Sequence, residues 1–158
     1  MKITSLLFAL LLTMSRLVAQ QIQHINPAGL AKSPNYSHIV TAQGGRTVYI
    51  SGQVSVNAQG EIVGKGDFRA QTKQVHENLK TALAAVGATF DDVVKLTAFV
   101  VNSDSERLGI VREIRSQYYN GPQRPASSYL SIQALYDKDI LIEIEAIAVI
   151  KEAVIMQR

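Results

Sequence analysis

Two glutamate side chains near the end of the chain have a spacing that could support catalysis. Glu143 and Glu145 lie in an alternating segment, residues 140–150, that predicts a β-strand. Both side chains therefore point to one face, with Cα atoms roughly 6.5–7 Å apart. A carboxylate among apolar neighbours can have a raised pKa and act as a general acid or base. The alternative is that one or both are solvated, or form an ion pair with Lys95 or Arg124.

The remaining motifs give weaker indications of chemistry. The glycine-rich segment 60–66 resembles a phosphate loop, but it is one residue short and no Ser or Thr follows its lysine, so it predicts a turn. Ser51 lacks the G-x-S-x-G context of a hydrolase nucleophile. The histidines show no metal-ligand spacing, and the chain has no Cys, so we expect no metal site. His76 is predicted to lie on a helix surface.

Composition excludes several classes of protein. The 158 residues are 47% hydrophobic and 18% charged, which predicts one folded domain with a full core rather than a disordered chain. The formal net charge is +3. Removing Lys2 and Arg16, which lie in a predicted leader, leaves 14 basic against 13 acidic residues. Such a balance offers no basic surface for a nucleic acid, and we expect no nucleic-acid partner.

The first residues have the pattern of a secretory signal peptide. One lysine precedes an apolar run over residues 6–12, and a small residue, Ala19, marks the expected cleavage position. The run is too short to span a bilayer. We therefore predict a signal peptide over residues 1–19, one domain over residues 20–158, and an exported protein, periplasmic or secreted, with no membrane attachment after cleavage. An uncleaved anchor or an amphipathic leader is the alternative.

Hydrophobic periodicity predicts an α+β domain. A short strand near residues 37–42 and a strong strand over residues 47–56 precede a helix that Asp67 caps and Gly87 ends. A strand over residues 93–101, a second helix and two final strands follow. Ser103 and Glu106 form a capping box at the start of the second helix, which is predicted to run to Gly121. This order predicts a single sheet with two helices on one face.

The face of the sheet away from the helices is predicted to be half apolar and half polar. It is expected to combine the side of the last strand that carries Glu143 and Glu145 with the side of its partner strand that carries Ser127 and Tyr129. The chain has no further segment to cover this face. We therefore predict self-association, with polar groups collected where subunits meet.

Several segments together resemble the RidA family (YjgF-like reactive intermediate deaminases). They are Tyr49–Val54, the 67–87 helix with Gln71 and Asn78, residues 92–100, Arg124 to Ser128, and the closing Ile-Glu-Ile-Glu-Ala-Ile-Ala-Val of residues 142–149. The resemblance covers about residues 24–150. It implies a chorismate-mutase-like α+β homotrimer with a small-molecule cleft between subunits. It also implies hydrolysis of imine or enamine intermediates to a carbonyl compound and ammonia, without a metal or organic cofactor.

The resemblance also implies roles for individual residues. Tyr36 matches the pocket tyrosine, Ser51 and Gly52 match the pocket wall, and Glu145 matches the glutamate that positions water. The arginine that binds the substrate carboxylate should stand two residues after Pro125. This sequence has Ser127 there.

The change to Ser127 lowers the expected activity. A serine hydroxyl offers one neutral donor where an arginine offers a charged, planar pair. Arg124 lies on the far side of Pro125 and three residues before position 127. Both facts argue against Arg124 taking the place of the missing arginine. We therefore predict weak or absent activity on 2-imino acids and a preference for substrates without a carboxylate there, with Tyr129 making the pocket more apolar. The alternative is a non-catalytic binding or chaperone-like exported protein.

Overall fold

The computed structural model describes residues 20–151, which form six strands, two α-helices and one short 3₁₀ turn. The strands are β1 (Gln21–Ile25), β2 (Ile39–Gln43), β3 (Arg46–Val54), β4 (Val93–Val101), β5 (Ala126–Ile132) and β6 (Ile142–Ile150), and the helices are α1 (Phe68–Ala84) and α2 (Ser105–Ser116). The predicted signal peptide, residues 1–19, lies outside these residues. None of the helices within 20–151 is long and apolar enough to cross a bilayer.

The main sheet is mixed and has four strands in the order β3-β6-β4-β5. Strands β4 and β5 run parallel, and the other neighbours run antiparallel. The predicted α+β fold with two helices is thus confirmed. Two details differ: β4 lies between β5 and β6, which were expected to be partners, and β1 pairs with β2 in a separate two-stranded ladder where one strand was predicted.

The core lies between the main sheet and the helices. From α1 it takes Phe68, Val75, Leu79 and Leu83, and from α2 it takes Val111. The sheet contributes alternate residues of its two central strands, among them Leu96, Ala98, Val100, Ile142, Ile144, Ala146 and Ala148. This is the alternation that the sequence predicts for β4 and β6.

Side-chain caps begin both helices. The Asp67 carboxylate accepts a hydrogen bond from the Ala70 amide at 3.0 Å, as predicted. The second cap differs, because Asp104 rather than Ser103 caps α2, accepting from the Arg107 amide at 2.8 Å. The Ser103 hydroxyl instead hydrogen-bonds the Tyr129 hydroxyl.

Two polar side chains of α1 that carry the family resemblance form hydrogen bonds with backbone groups of neighbouring loops and strands. The buried Gln71 donates to the carbonyl of Asp139 at 2.6 Å and accepts from the Leu141 amide at 2.8 Å. Asn78 donates to the carbonyls of Val54 and Val56, at 2.9 Å each. These bonds hold the loops at the end of the sheet against α1, where backbone groups would otherwise lack partners.

His76 is buried, and its prediction as a surface residue is wrong. Its ring stacks against Phe90 and Tyr118, with centroid distances of 6.1 Å and 5.2 Å. Its Nδ1 lies 2.8 Å from the carbonyl oxygen of Thr72. Burial lowers the pKa of His76 to about 4, so the ring is neutral at neutral pH.

Candidate functional site

Glu145 lies on the face of the sheet opposite the helices, in a concavity of about 330 Å³. Tyr49, Ser51, Lys95 and Thr97 also line it. Glu145 is exposed in the single chain, as is Tyr49, which is 79% exposed. We call this concavity the glutamate pocket; it contains the predicted catalytic residue and one predicted wall residue.

A β-bulge shapes the wall opposite Glu145. Ile50 pairs with Ala146 and Gln53 pairs with Ile144, so two residues of β3, Ser51 and Gly52, face the single residue Glu145 of β6. An extra residue in one strand bends that strand and leaves backbone groups outside the ladder. The predicted pocket wall is therefore a bulge within β3.

The absence of a side chain at Gly52 allows a close contact with Glu143. A Cβ built on Gly52 would lie 1.7 Å from Glu143 Oε1 and 2.8 Å from its Cγ. The half-buried Glu143 carboxylate thus occupies the space that a side chain at position 52 would need. The two glutamates of the predicted pair have different surroundings: Glu143 packs on the bulge, and Glu145 faces solvent.

Lys95 places a positive charge beside Glu145 without forming an ion pair with it. Its Nζ donates to Ser128 Oγ at 2.6 Å and to the Leu96 carbonyl at 3.1 Å. Burial lowers the pKa of Lys95, and the charge of Glu145 opposes that shift. Within residues 20–151 no Lys, Arg or His nitrogen lies within 4.0 Å of the Glu145 carboxylate, so the ion pair considered from the sequence is absent there.

The other predicted binding residues form a second pocket, of about 250 Å³, that includes Tyr36, Ser127 and Tyr129. It lies on the helix side of β5, between that strand, α2 and the Asn35–Tyr36 segment. The expectation that Ser127 and Tyr129 share a face with Glu145 is wrong. Leu96 is in register with both Ser127 and Ala146 and faces the core, so Ser127 belongs to the helix face.

The residues on the face away from the helices are identified by the next position along β4, Thr97. Thr97 is in register with both Ser128 and Glu145, which places these three side chains together away from the helices. Alternation within each strand then puts Glu145 and Ser127 on opposite sides of the sheet. Within one chain, the first group of predicted site residues is Tyr36, Ser127 and Tyr129. The second group is Glu145 and Ser51, with Gly52 in the adjoining bulge. The two groups do not meet within the chain.

Arg115 is a residue of the second pocket that the sequence reasoning missed. Its guanidinium, on α2, donates to Ser127 Oγ at 3.0 Å and to the Asn35 carbonyl at 2.6 Å. The spacing in the sequence could have identified it. Arg115 follows the buried Val111 by four residues and so lies on the apolar face of the helix. A cation at that position of an amphipathic helix is unusual. We call this second pocket the arginine pocket.

Comparison with known proteins places the chain in a family. Residues 27–150 match the family model described as Endoribonuclease L-PSP, which covers most of the chain. The chain belongs to the RidA family. A RutC family protein of Pyrococcus horikoshii is 40% identical over 114 residues, which are 72% of this chain and 85% of that protein.

Two further relatives of this RidA-family chain connect its sequence and its fold to named proteins. A 2-iminobutanoate/2-iminopropanoate deaminase of Rattus norvegicus is 40% identical over 105 residues, 66% of this chain and 73% of that protein. A Rid-family protein of unknown function from Yersinia pestis matches in structure with a TM-score of 0.78 and 42% identity, covering 82% of this chain and 98% of the other. The resemblance recognised from the residues is thus confirmed.

Proposed function

We propose that this RidA-family chain hydrolyses the C=N bond of small imines, including imines formed from enamines by tautomerisation, at clefts between the subunits of a homotrimer. Its similarity to a protein named 2-iminobutanoate/2-iminopropanoate deaminase supports the reaction class. The observation that carries the proposal is the placement of Glu145 across from the Ser51–Gly52 bulge, in a concavity with polar groups on its walls.

In the proposed reaction the Glu145 carboxylate accepts a hydrogen bond from a water molecule and directs its oxygen to the imine carbon. A C–O bond forms, the C=N bond becomes single, and one proton of the water passes through the Glu145 carboxylate to nitrogen. In the resulting carbinolamine the hydroxyl proton then passes to nitrogen, the C–N bond breaks, ammonia leaves and the carbonyl group forms. A positioned base of this kind contributes roughly 100- to 10,000-fold to a rate. The proposed reaction uses no metal ion or organic cofactor.

The trimer is proposed because one chain cannot complete the site. Glu145 and Ser127 lie on opposite faces of the sheet. A substrate that contacts both must therefore bind between the glutamate pocket of one subunit and the arginine pocket of its neighbour. β5 is an edge strand, and exposed Tyr49 and Leu130 lie on the face opposite the helices. Contact between copies would remove these apolar groups from water.

The prediction of weak activity on 2-imino acids, made from the sequence, is not part of the proposed function. Its reason is that Ser127 leaves the pocket without a guanidinium from β5. The guanidinium of Arg115, on α2, lies 3.0 Å from Ser127 Oγ and brings a cation to this pocket from another element.

Ammonia release from 2-iminobutanoate, generated in situ by an amino acid oxidase, tests the proposed function. We expect wild type to accelerate release and Glu145→Gln to reduce the rate by about 100-fold or more. Glu61→Gln, an exposed change in the loop after β3, is the matched control and keeps the wild-type rate. Equal accelerated rates for wild type and Glu145→Gln would reject the role of Glu145, and a wild-type protein that does not accelerate release would favour the non-catalytic binding protein. Tight RNA binding that weakens steeply with salt would favour a nucleic-acid function instead.

Export is a separate proposal. Residues 1–19 are proposed to act as a signal peptide cleaved after Ala19, releasing the domain to the periplasm or the medium. Amino-terminal sequencing of protein from fractionated cells tests this: mature chains beginning at Gln20 support it, and chains beginning at Met1 in the cytosol contradict it.

A further inference from the structure

Arg115 is a buried cation without an acidic partner. Its side chain is on α2, and the residue is only 9% exposed. In the described part of the chain no carboxylate oxygen lies within 4.0 Å of its guanidinium. A buried charge is usually paired, because removal from water without a counter-charge is costly.

The hydrogen bonds of Arg115 go to neutral acceptors. Nη1 donates to Ser127 Oγ and Nη2 donates to the Asn35 carbonyl, at 3.0 Å and 2.6 Å. A guanidinium carries five N–H donors, so these bonds orient it and leave donors for a further acceptor. Both contacts hold the group at the wall of the arginine pocket, whose other walls include Tyr36, Leu108 and Tyr129.

The two charged residues that line this pocket are both arginines. Arg112, one turn earlier on α2, is exposed and also lines it. Burial lowers the pKa of Arg115, the Tyr119 hydroxyl opposes that shift, and the charges of Arg124 and Arg112 lower the pKa further. An anion bound beside Arg115 would relieve this repulsion. A planar carboxylate matches the fork of a guanidinium better than any neutral group.

We infer that Arg115 binds the carboxylate of a small ligand in the arginine pocket, so that α2 supplies the cation that the family resemblance places on β5 at position 127. The inference rests on the proposed function for the identity of the substrate, and it assigns the residue that selects for a carboxylate. Ser127 then has a positioning role, because its hydroxyl accepts from Arg115 and its small size leaves room for the guanidinium.

Calorimetry with 2-oxobutanoate, the product expected from 2-iminobutanoate, tests the inference. Its methyl ester has nearly the same shape without the charge, and inorganic phosphate is a non-planar anion. We expect wild type to bind 2-oxobutanoate at least about 10-fold more tightly than the ester or phosphate. This comparison needs no variant. Equal affinity for acid and ester would overturn the inference, and tighter binding of phosphate would do the same for the carboxylate assignment.

Two variants locate the binding group. Removing one partner of a buried charge pair typically weakens binding by roughly 30-fold or more. We expect Arg115→Gln to lose that much affinity for 2-oxobutanoate while its affinity for the ester stays unchanged. Lys73→Gln is the control, because it removes an exposed cation on α1 outside the pocket, and it should change affinity less than about threefold. Adding Ser127→Arg to Arg115→Gln restores binding of the acid. Unchanged affinity in a folded Arg115→Gln protein would overturn the inference.

The experiments distinguish failure of the carboxylate site from failure of the proposed hydrolase function. Glu145→Gln should lose ammonia release and still bind 2-oxobutanoate more tightly than its methyl ester. A wild-type protein that selects the acid through Arg115 but releases no ammonia contradicts the hydrolase and supports the carboxylate site. Rapid ammonia release that Arg115→Gln leaves unchanged, with unchanged affinity for the acid, contradicts the site and supports the hydrolase.

Discussion

The guanidinium of Arg115 lies 3.0 Å from the hydroxyl of Ser127, and this contact joins α2 to the edge strand β5. An arginine at position 127 would bring a second guanidinium to the same place. Ser127 and Arg115 are therefore a pair, and the effect of a change at one depends on the other.

Ser127→Arg alone should raise neither the stability of the protein nor its rate of ammonia release. With Arg115 in place, two guanidiniums would share one small pocket, and like charges close together repel. We expect a lower melting temperature and no increase in ammonia release from 2-iminobutanoate. The same change in an Arg115→Gln background should melt at a higher temperature than Ser127→Arg alone. A large gain in rate for the single variant would show that the pocket lacks a cation.

Tyr49→Glu should dissociate the proposed trimer. Tyr49 is 79% exposed in the single chain, on the face opposite the helices, and a carboxylate there would be costly to bury between subunits. Sedimentation velocity should show a trimer for wild type and a monomer for the variant. Tyr136→Glu is the control, because Tyr136 is 74% exposed but lies in the loop between β5 and β6. Dissociation by both changes, or by neither, would contradict the proposed interface.

His76 should make stability depend on pH. Its pKa in the folded protein is about 4 because of burial, and in the unfolded chain it is about 6.5. Between these values the unfolded chain binds the proton and the folded protein does not, so the stabilisation present above pH 6.5 is lost as the pH falls towards 4. The loss in the free energy of unfolding reaches about 3 kcal/mol.

Urea unfolding of wild type and His76→Leu at several pH values between 7.5 and 4 measures this loss. Leucine does not titrate, so the difference between the two proteins should change by that amount across the range. Parallel curves over the whole range would show that His76 does not titrate differently in the two states.

Gly52→Ala should lower stability through Glu143. The new Cβ would overlap the Glu143 side chain, which must leave its rotamer at a cost of about 0.5–1.5 kcal/mol in the free energy of unfolding. Glu143→Ala in the same protein should remove most of the loss. Gly109→Ala is the control: it lies within α2 with nothing within 4 Å of its added Cβ, and it should stabilise the helix by roughly 0.5–1 kcal/mol. Equal changes at both glycines would argue against the contact.

The sequence by itself determined the family, both helices and the four strands of the main sheet. The helices follow from apolar residues at helical spacing with Asp67 as a cap, and β6 follows from strict alternation, because these are local properties of the chain. The family follows from a continuous segment that includes Glu145. These predictions need no knowledge of which strands pair.

The tertiary structure alone decided which side chains share a pocket. Alternation divides each strand into two faces, but it does not say which face of β5 matches which face of β6; only register does, and a shift of one residue exchanges the faces. Because β4 lies between β5 and β6, Ser127 and Glu145 are on opposite faces of the sheet rather than side by side on one face. The contact of Arg115 with Ser127 likewise depends on how α2 packs against the edge of the sheet, a long-range property that no local pattern encodes.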